Sequence, residues 1–366
     1  MSNENNNKYI NAMGLMSGTS CDGIDLSVIN TDGISVKSII KNDAYNYTDD
    51  EQKVIKSVYG GNPDPDLLKK ATDIITNAHC DIIEKFLSSS KEKVDVIGFH
   101  GQTTHHQPQN KITMQIGDAE FIANKFKIPV VYDFRQNDIK NGGNGAPLIP
   151  VYHQAIANTK KLNNVCFLNL GGVANITICD NDDLIAFDTG PANCLIDDYC
   201  QNVIGIRYDK GGKIAKKGVV STKIVDEFLK HNFFKKTFPK SLDRDEFAID
   251  FNGDEWSKLS HNDALATLNR ISAESFNVAI NQLSKKPQQV IVCGGGSHNK
   301  NMMNIIREIS DIETTQISKI GFENDYIESQ GFAFLAVRYL NNLESSFAMT
   351  TGVNTPTIAG KIFKPS

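Results

Sequence analysis

The stretch GLMSGTSCDGIDLSVI, Gly14 to Ile29, sets two apolar runs on either side of a turn rich in glycine and hydroxyls. Apolar residues alternate in YINAMGLM before the turn and in IDLSVIN after it, which predicts two strands joined through Gly18–Gly23. The turn has the composition of a phosphate-binding loop, yet Ile24 stands where a P-loop carries its lysine. Gly18 and Gly23 let backbone approach a ligand, and successive N–H groups in such a turn form an anion nest. Thr19 and Ser20 add hydroxyl donors. Asp22 and Asp25 make sense beside a phosphate only with a hydrated magnesium ion between the charges. An Asp-Gly hairpin turn accounts for the same glycines, and the stretch alone does not separate the two readings.

Outward from this turn, the chain repeats itself in pattern. A long amphipathic helix is predicted over Pro65–Leu87, then a short buried strand in VDVIGFHGQT that stops at a glycine turn. A helix in DAEFIANKFK and a strand in IPVVYDF follow. The second half opens with VCFLNLGGVANITIC, again strand, glycine turn, strand, with the turn at Gly171 and Gly172. Helices are expected within Ser221–Leu283, with an irregular stretch around Phe238–Asn252, and QQVIVCGGGSHN is another strand ending in glycines. A last helix is expected in ESQGFAFLAVRYLNN. This order predicts an α/β protein of two similar lobes facing each other across a cleft, with the glycine loops at strand ends, where α/β ligands bind. The expected lobes are residues 1–138 with about 345–366, and residues 139–344.

Composition narrows the function. The 366-residue chain has 40% hydrophobic and 22% charged residues and a formal net charge of -5, which gives no basic footprint for nucleic acid. No apolar run reaches the length of a membrane helix. The polar start, MSNENNNKYI, reads as a short frayed tail without an export segment. Seven cysteines are scattered singly with no C-x-x-C pair, which predicts core-filling thiols, no structural zinc and a cytoplasmic address.

Several stretches carry candidate chemistry. In NLGGVANIT, Gly171 and Gly172 with Asn175 nearby form a second candidate phosphate turn, and two such hairpins suit a clamp on a polyphosphate. LIAF reads as a strand that ends at Asp188, and NCLIDDY as a helix beginning after Pro191, so Asp188 is expected in a turn. A carboxylate there can deprotonate a nucleophile, or it can cap the helix. Gly294, Gly295 and Gly296 end a buried strand, bringing backbone close to something flat such as adenine. The run has no G-x-G-x-x-G spacing. His100 and Gln102 in GFHGQTTHHQP read as hydrogen-bonding groups for a sugar or amide. Asp133 and Arg135 follow a strand end, and Asp138 precedes a glycine-rich bend read as a hinge between lobes.

Together, GLMSGTSCDGID, GFHGQT, VVYDFRQNDIKNGGNGAPLIP, NLGGVANIT, FDTGPANCLIDDY and VCGGGSHN resemble, in order, the signature blocks of the anhydro-N-acetylmuramic acid kinase family. TTGVNTPTIAGKIFKP resembles its closing segment. The resemblance implies a two-lobed, actin-like ATPase fold built on ribonuclease H-like cores, as in the sugar kinases and heat-shock chaperones. It implies an enzyme of cell-wall recycling that uses ATP, magnesium and water to convert 1,6-anhydro-N-acetylmuramic acid into N-acetylmuramic acid 6-phosphate. Asp188 then matches the base that activates water. The block from Gly18 through Thr19, Ser20, Cys21, Asp22, Gly23 and Ile24 to Asp25 matches the phosphate site. Gly171 and Gly172 would grip from the other lobe, and Gly294–Gly296 would lie near the adenosine. Glu328 keeps a carboxylate for sugar hydroxyls, although the family commonly has a Glu-Ala pair where this chain reads ESQGFAFLA. Cys21 and Cys194 stand where other small or apolar residues are usual. The family also implies a homodimer. The competing readings are a nucleotide-switched binding module and a kinase for another sugar.

Overall fold

Apolar alternation on both sides of the Gly18 turn builds a hairpin in the computed structural model, which describes residues 8–242 and 244–366. The expected tail at residues 1–7 lies outside the described residues. Strand β1 (Ile10–Ser17) pairs antiparallel with β2 (Gly23–Thr31), and β2 with β3 (Val36–Asn46). On the other side of β1, β4 (Val96–Gln107) runs parallel to it, β5 (Ile112–Ile116) folds back on β4, and β6 (Val130–Tyr132) runs parallel to β4. The strand expected to stop in GFHGQT therefore continues. Gly101, at φ +72°, bends it, and the polar residues beyond pair with β5.

The second sheet begins with β7 (Val165–Leu170) and β8 (Val173–Asp180), joined by the Gly171–Gly172 turn. Next to β8 lies β9 (Asp183–Pro191), antiparallel. On the far side of β7, β10 (Gln289–Cys293) and β11 (Glu313–Gln316) run parallel. The closing strand β12 (Lys361–Phe363) returns to the first sheet, antiparallel to β6. Read from their antiparallel edges, the sheets run β3-β2-β1-β4-β6 and β9-β8-β7-β10-β11. Each step has the same sense in both. This is the ribonuclease H-like core of the actin-like ATPases, present twice, and it turns the duplicated sequence pattern into a duplicated topology.

Helices follow their sequence signals. Asp64 accepts from the N–H groups of Asp66 and Leu67 and Pro65 takes the first helical position, so Pro65–Ser89 starts where expected. Its buried face, including Ile75, Ile82, Ile83 and Phe86, joins Met13, Leu15 and Ile97 in the core of the first sheet. The helix Ile327–Leu340 lies on β1, β2 and β4. Only glycine permits that approach. A Cβ on Gly14 would stand 1.9 Å from the Ser329 carbonyl oxygen, and one on Gly98 would stand 2.1 Å from that of Phe332.

Two compact units result, one running up to Lys160 and including Tyr326–Ser366, the other Lys161–Asp325. The division differs from the expected one at 138 and 345 because the helices Pro150–Thr159 and Ile327–Leu340 pack on each other and on the first sheet. The expected hinge also falls inside the first unit. Asp138 is fully buried, accepting from the Gly145 N–H at 2.6 Å and the Thr351 hydroxyl at 2.5 Å, so the glycine bend is tied down.

Candidate active site

In the first unit the Gly18 turn is held by a network of side chains. The Gly18 carbonyl accepts from the Cys21 N–H at 3.0 Å and from the Gln102 amide at 2.9 Å. Ser17 donates to Gln102 Oε1 at 2.5 Å, and the Tyr59 hydroxyl takes a bond from the Gln102 amide and gives one to the Thr19 carbonyl. Gln102 is thus fully occupied as a brace for the turn, not a free sugar-binding amide as its sequence setting implied. Thr19, Ser20 and Asp22 stand exposed at the tip, and the Ser20 hydroxyl donates to Asp22 Oδ1 at 2.9 Å. The side chains of Cys21 and Ile24 are buried in the core, which leaves only their backbone for a ligand. Burial raises the Cys21 thiol above its ordinary pKa, so it is inert. Asp25 is half-buried on β2 opposite Met16. Among the described residues no three His, Cys, Asp or Glu side chains gather as a metal cage. Two carboxylates in and beside one turn fit a magnesium ion that keeps most of its water and binds phosphate.

Also in the first unit, the buried His100 and the half-buried Arg135 and Glu328 form a polar cluster. His100 Nδ1 lies 2.8 Å from the Gly101 carbonyl, so it carries the proton and donates. Nε2 is then a lone pair and accepts from Arg135 Nε at 3.1 Å. Burial and the Arg135 charge hold the imidazole neutral, with its pKa well below the ordinary value. Another Arg135 nitrogen donates to the Gly145 carbonyl at 2.8 Å. Burial raises the Glu328 pKa, and the Arg135 guanidinium opposes that rise. Asp133 is not in this cluster. It adopts φ +55° and pairs with Lys361 at 2.6 Å, beside a cavity of about 380 Å³ that His100 also borders.

In the second unit the register places Asn169 of β7 opposite Asn175 of β8, and Asn175 opposite Asp188 of β9. Directly paired residues share a face, so three half-buried polar side chains make one row across strands whose neighbours are buried. Asp188 lies within β9, which runs on to Pro191, and it caps no helix. The expected turn is replaced by strand because β8 pairs with this segment through Pro191. Its Oδ2 accepts from the Leu242 N–H at 2.7 Å, and its own N–H donates to the Lys240 carbonyl at 2.9 Å. Burial pushes its pKa up to about 7, and the Leu242 bond pulls the other way. The Gly171–Gly172 turn and the Gly294–Gly296 loop are neighbours, since Cys293 pairs with Asn169. A Cβ on Gly294 would stand 2.3 Å from Asn169 Oδ1, and one on Gly296 would stand 2.6 Å from Leu170 Cβ. Gly295 and the tip of the second turn, Gly172, have room.

The model of one family, anhydro-N-acetylmuramic acid kinase, matches residues 9–365. The chain belongs to the anhydro-N-acetylmuramic acid kinase family. It is 39% identical to the anhydro-N-acetylmuramic acid kinase of Rhodopseudomonas palustris, covering 97% of this chain and 99% of that protein. The enzyme of the same name from Zymomonas mobilis is 39% identical over 96% of this chain and 99% of its own length. That of Bradyrhizobium diazoefficiens is 38% identical over 97% and 100%. This chain is accordingly a kinase of cell-wall recycling, and no helix among its described residues is long and apolar enough to cross a membrane.

For an anhydro-N-acetylmuramic acid kinase, several residues around the motifs went unread in the sequence. Asn193 donates its amide to the carbonyls of Leu170 (3.0 Å) and Gly171 (2.7 Å), pinning the second turn. Ser17 and Tyr59 do comparable work at the first. The Ser17 hydroxyl and the Asn193 amide lay beside the glycine motifs, which was the available signal, whereas Tyr59 reaches the first turn from 40 residues away. Lys240 and Leu242 gave none, because they reach Asp188 from about fifty residues away, in a stretch read only as irregular.

Proposed function

We propose that this chain hydrolyses the 1,6-anhydro bond of 1,6-anhydro-N-acetylmuramic acid and phosphorylates the freed 6-oxygen, giving N-acetylmuramic acid 6-phosphate and ADP. The observation that carries the reading is Asp188, a half-buried carboxylate with a pKa of about 7. One of its oxygens is held by a backbone N–H, and the other, with no partner among the described residues, is left for water. Asp188 takes a proton from that water as the water oxygen bonds to the anomeric carbon. The C1–O6 bond breaks, O6 takes the γ-phosphoryl group of ATP, and ADP leaves. A base poised near neutral pH is both ionised enough and basic enough for this step.

The turn from Gly18 to Asp25 binds the ATP phosphates through backbone N–H groups and the Thr19 and Ser20 hydroxyls, and the Gly171–Gly172 turn is read as a second phosphate turn. The Gly294–Gly296 loop receives the adenosine. Asp22 and Asp25 would hold magnesium, which would supply positive charge against the phosphates. Arg135 and Glu328 hold the sugar, with His100 orienting Arg135 through its Nε2 and Asn175 beside the base. Asp133 contributes through its pairing with Lys361 at the margin of that cluster. All seven cysteines are buried thiols, which fits a cytoplasmic enzyme, and the family resemblance adds a homodimer.

Coupled measurement of ADP release tests the reading. With ATP and magnesium, turnover should require 1,6-anhydro-N-acetylmuramic acid. Equal turnover without the sugar, or faster turnover with an ordinary hexose, overturns it.

A further inference from the structure

Lys240 is 7% exposed, which is rare for a lysine unless its charge is answered. No carboxylate answers it among the described residues. Its ammonium instead donates to the carbonyls of Phe233 (3.3 Å) and Lys236 (3.2 Å) and to Gln282 Oε1 (3.3 Å), which uses all three protons. It also lies 4.7 Å from the centre of the Phe233 ring, within cation–π range. The three acceptors tie together the turn at 233–236, the segment at 240–242 and the end of the helix His261–Asn281. Backbone at both ends of that short segment grips Asp188, the Lys240 carbonyl taking its N–H and the Leu242 N–H capping its carboxylate.

We infer that Lys240 is a positioning residue for the base, anchoring the segment whose Leu242 N–H fixes the orientation and acidity of the Asp188 carboxylate. The inference rests on Asp188 being that base. Among the described residues, a second charged group facing the segment is Lys236, which pairs with Glu246 at 3.6 Å, and the β8 partner of Asp188 is the uncharged Asn175. Burial and Lys236 lower the Lys240 pKa to about 8, so it is charged at neutral pH. Replacing it with an apolar side chain frees the segment and loosens the Leu242 N–H that stabilises the ionised carboxylate. The acidity of Asp188 then falls, and its pKa moves further up.

The experiment compares the full-length chain with Lys240→Met, Lys240→Arg, Gln282→Met and Asp188→Asn in pH profiles of sugar-dependent ADP release. Lys240→Met should lower kcat roughly tenfold, with KM for ATP near that of the unchanged chain. Its acid limb should move to higher pH by about half a unit or more. Lys240→Arg should restore part of both, and Gln282→Met should give a smaller shift of the same sign. If Lys240→Met does not fold, the Gln282→Met shift decides. An acid limb at its original pH in the folded variants overturns the inference while Asp188→Asn remains inactive. An active Asp188→Asn overturns the base reading itself.

Discussion

Asp188 shows how a single half-buried carboxylate can serve chemistry at a cost to the fold. Its pKa of about 7 in the folded chain stands above the ordinary 3.8, so folding takes up a proton. Stability from this group is full below the unfolded value and falls as pH rises through the folded one. Asp188→Asn keeps an acceptor for the Leu242 N–H and removes the charge. It should therefore raise the melting temperature and add roughly 1–3 kcal/mol of stability at pH 8.5, with a smaller gain at pH 5, where the loss has begun above 3.8 but is not complete. The same variant should lose at least ~10²-fold in kcat while ATP affinity is retained. Calorimetry at both pH values with single-turnover kinetics checks both halves. A variant that is no more stable at alkaline pH would show that the carboxylate is not held at a cost.

Between neighbouring elements, glycine sets how closely a helix can lie on a sheet. Gly14 belongs to the motif that reads as a phosphate turn, yet its own work is to admit the helix Ile327–Leu340 against β1. Gly14→Ala should cost about 1–3 kcal/mol or more, because backbone on both sides must move. Gly295→Ala, with nothing within 4 Å of its added methyl and no left-handed φ, should fall within about 0.5 kcal/mol of the parent. Urea denaturation of both variants measures the contrast, and equal midpoints would contradict it. Here lies the boundary of what the chain discloses. The hairpins around Gly18 and Gly171, the helix capped by Asp64 and the strand before Gly294 were legible, because alternation, caps and glycine punctuation are local signals. The continuation of β4 past Gly101 and of β9 past Asp188 was not. In both, turn-forming residues are kept extended by a partner strand, and pairing across strands leaves no mark on the segment itself. Gln102 misled for a related reason, since an amide beside a glycine motif looks the same whether it faces a ligand or braces the turn.

At the scale of the whole chain, the duplicated topology gives two units of similar core whose responses to pH differ in sign. Three buried histidines, His79, His100 and His153, all lie in the first unit. Burial is the main cause of each depressed pKa, to about 4 for His79, about 3 for His153 and well below the ordinary 6.5 for His100. A histidine kept neutral by folding binds fewer protons than in the unfolded chain, so its contribution is lost as pH falls below 6.5. At pH 5 this amounts to up to about 2 kcal/mol for each. Glu328, raised by burial, opposes the trend within the same unit, but one carboxylate stands against three imidazoles. In the second unit Asp188 gains stability over the same interval. Such sums approach the total stability of a typical domain. Acidification from pH 7 to pH 5 should therefore open the first unit before the second. Hydrogen exchange read by mass spectrometry should show protection falling first over Pro65–Ser89 and β4, while the helix His261–Asn281 stays protected. His79→Phe, which keeps the ring that meets Phe99 edge-on at 4.9 Å and cannot take a proton, should move the acid transition of the first unit to lower pH. Simultaneous opening of both units at one pH, unchanged in His79→Phe, would refute the assignment of acid sensitivity to the buried imidazoles.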